Sequence, residues 1–178
     1  MELIGEASNG REAVELFREH RPDVTLMDLQ MPEMSGIEAL KAIRGEFPEA
    51  RIIVLTSYAG DVQISRALKA GARAYLLKSM LRKEMLDTIH AVHAGHKRLS
   101  SEVAAEIAEH VTDDILTPRE ADVLRLIAAG NANKEIAALL ALTEDTVKGH
   151  VKNILAKLGV NDRTHAVTMG LKRGIIEL

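Results

Sequence analysis

Apolar positions follow two different periods along this chain. In the first half, short runs of β-branched and aliphatic residues alternate with segments whose apolar residues recur at helical spacing. This alternation is typical of a parallel β-sheet covered by helices on both faces. The predicted strands are 3–7, 23–28, 51–57 and 74–77; the predicted helices are 9–19, a segment ending near 44, 61–70 and 82–93.

From Leu116 onward the pattern is helical throughout, and it predicts four short helices. The first opens at Thr117 and Glu120, which have the spacing of a capping box. The second runs through Leu140, Thr143 caps the third, and the fourth covers about 162–173. In the third helix the apolar residues form one stripe that must pack on its neighbours: Val147, Val151, Ile154 and Leu158.

Two lysines, Lys148 and Lys152, lie four residues apart on another face of the third helix. Side chains at this spacing stack along a helix surface, so both can enter a DNA major groove while the apolar stripe stays buried. The segment from Leu116 to Ile176 resembles the LuxR-type DNA-binding domain of NarL/FixJ-like response regulators. The chain departs from that family at Ala132, where a Ser or Thr cap is usual, and at Gly149 inside the helix.

The resemblance implies a role for each polar position of the helical segment. Lys148, Gly149 and Lys152 are expected to face the bases, whereas Lys134, Thr143 and Thr146 are expected to contact phosphates. Double-stranded DNA is therefore the expected partner, bound by a homodimer.

Polar residues follow three predicted strands: Asp28, Thr56 and Lys78. Open α/β sheets bind ligands at that edge. The surrounding sequence, including Leu26 to Gly36 and Gly71 to Lys78, resembles the receiver domain of two-component response regulators over residues 2 to about 95. The resemblance implies that Asp28 accepts a phosphoryl group from a sensor histidine kinase, that Lys78 and Thr56 bind the phosphoryl oxygens, and that Tyr75 is the switch residue.

The chain also departs from the receiver pattern at its beginning. It opens at what corresponds to the second strand, so we expect an incomplete flavodoxin-like fold without the first strand, the first helix and the acidic pair that holds Mg²⁺. Asp28 alone then gives an incomplete magnesium site, and phosphotransfer is expected to be slow. Either the natural protein starts further upstream or the chain is naturally short. Without a middle strand, we expect the two flanking strands to rearrange, to pair directly, or to pack against a second copy.

Composition agrees with a cytoplasmic regulator of two domains. The 178 residues include no cysteine and no apolar run long enough for a membrane span or signal peptide. Residues 116–178 hold 9 Lys and Arg against 7 Asp and Glu, a net charge of +2, whereas residues 1–115 hold 14 against 19, a net charge of −5. DNA affinity is therefore expected from the second half and should fall with salt.

These observations predict a truncated receiver at 1–96, a linker with a short helix at 97–115, and a four-helix LuxR-type helix-turn-helix domain at 116–178. The expected function is transcriptional regulation controlled by phosphorylation, and not an enzyme activity. One alternative is a regulator that does not depend on phosphorylation. Another is a phosphatase with an Asp nucleophile, against which Gln30 argues because glutamine cannot serve as general acid. A metal site at His90, His93 and His96 is a further alternative.

Overall fold

The computed structural model describes residues 1–57, 60–80, 82–110 and 116–176. These residues form two compact units. The first comprises Met1–Ala59 and Ile64–Ile107, and the second comprises Gly60–Gln63 and Ala108–Leu178.

The sheet of the first unit has four parallel strands in the order β1-β2-β3-β4. The strands are β1 (Thr25–Asp28), β2 (Ile52–Thr56), β3 (Ala74–Leu77) and β4 (Arg98–Leu99). The helices that precede residue 110 are α1 (Gly10–His20), α2 (Gly36–Glu46), α3 (Asp61–Lys69), α4 (Arg82–His93) and α5 (Ser101–Glu109). The alternation predicted from the sequence is confirmed for these elements to within a few residues.

Strand β2 shows why the sheet is covered on both faces. Successive side chains of a strand point to opposite faces. Ile52 and Val54 pack in one apolar cluster with Phe17, while Ile53 packs in another with Val92. All three β2 side chains are fully buried, which explains the continuous apolar run in this segment.

The prediction of a strand at residues 3–7 is wrong. These residues have no regular secondary structure, and Leu3 and Ile4 are 75% and 48% exposed. A strand needs a neighbour to satisfy its backbone groups, and among the described residues β1 pairs with β2 alone. Direct pairing of 3–7 with β1, one of the expected arrangements, is therefore not formed within this chain.

Strand β4 was not predicted, because it contains two residues and both are exposed. It is defined by backbone pairing with β3, including the bond from Arg98 N to Arg73 O at 3.0 Å. The predicted linker helix is present as α5, and residues 111–115 of the predicted linker lie outside the described residues.

In the second unit the four predicted helices are confirmed as α6 (Pro118–Ala128), α7 (Asn133–Leu139), α8 (Glu144–Lys157) and α9 (Arg163–Lys172). Thr117 and Glu120 form the predicted capping box, and Thr143 caps α8. The predicted α8 stripe is buried at Val147, Ile154 and Leu158. Within the same unit the Arg173 guanidinium binds Asp61 through two hydrogen bonds of 3.0 and 2.8 Å.

Candidate functional site

Asp28 ends β1 at the carboxyl edge of the sheet. Its position is fixed by α2, which begins directly beside it. Gly36 lies so close to the Asp28 carbonyl oxygen that a Cβ there would overlap it. Ser35 caps α2 and forms a capping box with Glu38, whose pKa is lowered by the hydrogen bonds from the Ser35 hydroxyl and backbone. The glycine and the capping box together hold the end of β1 in place.

The Asp28 carboxylate has two partners of different kinds. Its Oδ2 accepts a hydrogen bond from Lys78 Nζ, and its Oδ1 accepts one from Gln30 N at 3.1 Å. The side chains of Asp28 and Lys78 are 30% and 45% exposed. The structure therefore brings the predicted phosphoacceptor and the predicted phosphate-binding lysine into one ion pair that solvent can reach.

Thr56 contacts Lys78, and Tyr75 contacts Thr56. Thr56 ends β2 and is 1% exposed, and its carbonyl accepts a hydrogen bond from Lys78 N at 2.8 Å. Tyr75 is fully buried in β3, and burial raises the pKa of its phenol to about 12 although a hydrogen bond with Thr56 lowers it. The phenol is therefore neutral at physiological pH and linked to the side chain predicted to bind the phosphoryl group.

Magnesium does not fit this edge as the described residues form it. Mg²⁺ requires near-octahedral oxygen coordination, commonly with one or two carboxylates beside a phosphate. Asp28 offers one carboxylate, already bound by Lys78, and it belongs to no cluster of three or more metal-ligating side chains among the described residues. The three histidines of α4 and its end, His90, His93 and His96, form no such cluster within the same part of the chain.

The second unit presents the predicted DNA-contacting residues on α7, α8 and the turn between them. Lys134, Thr143, Thr146, Lys148, Gly149 and Lys152 are all exposed. The Thr143 hydroxyl accepts a hydrogen bond from Thr146 N at 3.2 Å and lies 2.8 Å from the Thr146 hydroxyl. Both threonines therefore define the beginning of α8 as well as the surface beside it.

The ion pairs of Lys148 and Lys157, both on α8, were missed from the sequence. Lys148 Nζ lies 3.2 Å from Asp145 Oδ1 and 3.4 Å from Glu144 Oε1. The spacings i, i+3 and i, i+4 on α8 were a readable signal for these contacts. Lys157 Nζ donates to Glu120 Oε2 at 2.8 Å. No sequence signal links these two residues, because they are 37 positions apart.

The comparison with known proteins agrees with both units. Residues 1–90 match the response regulator receiver domain, and residues 114–170 match the family of bacterial regulatory proteins named luxR. The chain belongs to the LuxR-family response regulators. It is a two-component response regulator that acts in transcription, and the phosphatase alternative is not supported.

Full-length relatives are similar over nearly the whole chain. The transcriptional regulatory protein YhcZ of Bacillus subtilis is 45% identical over 97% of this chain and 84% of its own length, and LiaR of the same organism is 43% identical over 99% and 87%. Among solved structures, RcsB from Salmonella enterica bound to a promoter gives a TM-score of 0.70 at 27% identity, covering 96% of this chain and 85% of that one.

The receiver match begins at residue 1, so it does not support the expectation that the receiver is truncated. Members of the receiver family generally use Mg²⁺ for phosphorylation. None of the described helices is long and apolar enough to cross a bilayer.

Proposed function

We propose that this regulator binds duplex DNA through α8, with Lys148, Gly149 and Lys152 facing the bases and Lys134, Thr143 and Thr146 at the phosphates. The observation that carries the proposal is the division of α8 into two faces. Val147 and Ile154 are buried at 0% and 1% exposure, whereas Lys148 and Lys152 are exposed on the same helix. A helix anchored in this way can present both ammonium groups to a major groove.

A homodimer is the proposed DNA-bound form, because one short recognition helix reads few base pairs and two copies can read two half-sites. Solved structures of RcsB include two dimers bound to two parallel DNAs. With DNA as its partner, we place the protein in the cytoplasm. We further propose 1–96 as the receiver, 97–115 as the linker and 116–178 as the DNA-binding domain.

At the sheet edge, Asp28 is the proposed phosphoacceptor. One carboxylate oxygen attacks the phosphorus of a histidine kinase phosphoryl group, the bond to the donor breaks, and an acyl phosphate forms. Lys78 then stands beside the new phosphoryl oxygens instead of the free carboxylate, and Thr56 donates to another oxygen. Because the phenol of Tyr75 is hydrogen-bonded with Thr56, a change at Thr56 would alter the surroundings of the ring.

Phosphorylation-independent DNA binding is the second candidate. It is favoured by the single described carboxylate at the site and by its existing pair with Lys78. Without a resident cation, stabilisation of the transferring phosphoryl group depends on Lys78 and Thr56 alone.

The DNA-binding proposal is tested by replacing Lys148 with alanine in the full chain. If Lys148 contacts a guanine, Lys148→Ala should cost roughly 1–3 kcal/mol in binding to a selected duplex. Lys172→Ala is the matched control, since Lys172 is an exposed lysine in the last turn of α9. Fluorescence anisotropy on labelled duplexes measures both. Equal affinities for the two variants and the unaltered protein would contradict the assignment of α8 as the reading helix.

A further inference from the structure

Lys148 and Lys152 differ in their surroundings although both are exposed on α8. Lys148 pairs with two carboxylates, those of Glu144 four residues before it and Asp145 three residues before it. The positions corresponding to these for Lys152 are occupied by Lys148 and Gly149. No ion pair of Lys152 is found in the part of the chain that the structure describes. One of the two proposed reading lysines is thus already engaged by acids in the free protein.

These carboxylates stand at the beginning of α8. In a helix-turn-helix domain the first residues of the recognition helix are those that approach base edges. The Asp145 side chain is 92% exposed and that of Glu144 is 49% exposed. The hydrogen bond to Asp145 and the charge of Glu144 raise the pKa of Lys148 above its ordinary value. The acids therefore compete with DNA for the ammonium group.

We propose that Asp145 is a specificity-determining residue, which holds Lys148 away from phosphates and accepts a hydrogen bond from a base in the favoured duplex. The inference rests on the proposed role of α8 in DNA binding. An arbitrary duplex offers Lys148 a phosphate in exchange for the carboxylates, which is a small gain, and it brings the two acids near other phosphates, which is unfavourable. The acids thus weaken binding to any duplex that does not satisfy them.

The favoured duplex offers a hydrogen-bonding partner to each member of the Lys148–Asp145 ion pair. Lysine donates to guanine O6 and N7, and a carboxylate accepts from the N4 amino group of cytosine. A site with guanine facing Lys148 and a cytosine amino group facing Asp145 gives each charge a partner inside the groove. Duplexes that lack the cytosine leave Asp145 without a donor in a desolvated groove, which is costly.

The test uses two duplexes and three variants of the full chain. Wild-type protein selects a duplex from a randomised pool, and a scrambled version of that duplex serves as the arbitrary sequence. Asp145→Asn is compared with Asp122→Asn, a matched control. Asp122 forms an exposed i, i+3 ion pair with Arg125 on α6, so this substitution changes the net charge equally, away from α8. The third variant places Asp145→Asn in the Lys148→Ala background.

For Asp145→Asn we expect binding to the scrambled duplex to tighten roughly three- to tenfold, with the salt slope steeper by about one because Lys148 is released to bind a phosphate. Binding to the selected duplex should not tighten, so the ratio of the two Kd values falls. Asp122→Asn should leave that ratio unchanged. In the Lys148→Ala background, Asp145→Asn should tighten binding to the scrambled duplex less than it does in the unaltered chain, because no lysine is left to be released to a phosphate.

Two results would overturn the inference alone: Asp145→Asn tightening both duplexes equally, or its effect persisting undiminished without Lys148. Either would mean that Asp145 acts by general repulsion and reads nothing. A wild-type protein that binds no duplex from the pool would contradict the proposed function, and this inference with it. Far-ultraviolet circular dichroism of each variant checks that α8 is intact.

Discussion

Along α8 the role of a residue is decided by the direction in which it points. Val147 and Ile154 are buried, Lys148 and Lys152 are exposed, and Gly149 lies between the two lysines on the same helix. A glycine there is costly for the helix, since glycine exposes backbone and loses more chain entropy on folding than alanine. The packing of the protein does not require it, because a Cβ at position 149 would meet no heavy atom within 4 Å. Close approach of DNA would give this glycine a function.

Gly149→Ala should therefore have opposite effects on folding and binding. The free energy of unfolding should rise by roughly 1 kcal/mol, because alanine favours the helix. DNA affinity should fall, because the added methyl group stands between the two reading lysines. Urea unfolding followed by circular dichroism and anisotropy titration measure the two quantities.

Gly170→Ala is the control for this substitution. Gly170 is also a helix-interior glycine of the second unit, but a Cβ there would lie 2.7 Å from Leu124 Cδ2. Gly170→Ala should lower the free energy of unfolding, whereas Gly149→Ala should raise it. If Gly149→Ala left the affinity for DNA unchanged, the backbone of α8 would not approach the duplex at that point.

At the scale of elements, α6 and the end of α8 are joined by one ion pair. Glu120 is 3% exposed and closes the capping box of α6 through Thr117, while its Oε2 also accepts from Lys157. Burial by itself raises the pKa of Glu120. The hydrogen bond from Lys157 and those from Thr117 outweigh burial, so the pKa lies below the ordinary value of 4.5. The carboxylate thus fixes both the beginning of one helix and the last turn of the recognition helix.

This pair predicts a pH dependence with a definite sign. A carboxyl group whose pKa is lowered on folding contributes stability that is complete above its unfolded pKa, and the contribution is lost as pH falls through the folded pKa. Glu120→Gln should lower the free energy of unfolding by about 1–3 kcal/mol at neutral pH, because Lys157 loses a charged partner. As the pH falls below about 4.5, the free energy of unfolding of this variant should also decline less steeply than that of the unaltered protein.

The measurement is helix unfolding by circular dichroism across a series of pH values. Glu38→Gln is the matched control, since Glu38 holds the same place in the capping box of α2 but is exposed and hydrogen-bonded to Ser35. Its effect should be smaller. An effect as large as that of Glu120→Gln would show that the capping box alone, and not the contact with Lys157, accounts for the stability.

At the scale of the whole molecule, the first part of the chain is acidic and the second part is basic. The net charge is −5 over residues 1–115 and +2 over 116–178, so attraction to DNA comes from the second unit. The first unit contributes the sheet edge where Asp28 meets Lys78. Whether the protein responds to phosphorylation depends on how well that edge stabilises a phosphoryl group.

We expect acetyl phosphate to modify Asp28 slowly and without stimulation by magnesium, because the described site offers one carboxylate. Intact-protein mass spectrometry over time measures the incorporation. Asp28→Ala should abolish it and Lys78→Ala should slow it further, since Lys78 is the cation at the site. Asp23→Ala, at an exposed position just before β1, should change nothing. Rapid incorporation that requires magnesium would contradict the description of the edge as a poor metal site.

Much of this architecture could be read from periodicity and capping. Strand β3 and helix α4 have the predicted bounds, and Thr117 and Thr143 cap the helices expected of them. These features depend on residues close together in the chain, so local spacing carries the information. The ion pairs of Lys148 with Glu144 and Asp145 could have been predicted from the same kind of local spacing.

What the sequence alone determined was the class of most elements, the covered sheet, the four-helix unit and the lysines on α8. Tertiary structure decided which strands found partners: residues 3–7 remain outside the sheet, while Arg98 and Leu99 of β4 join it. It also decided that Lys78 meets Asp28 and that Lys157 meets Glu120. Strand pairing and ion pairs between distant residues depend on a neighbour supplied by the fold, and periodicity along the chain does not record where that neighbour is.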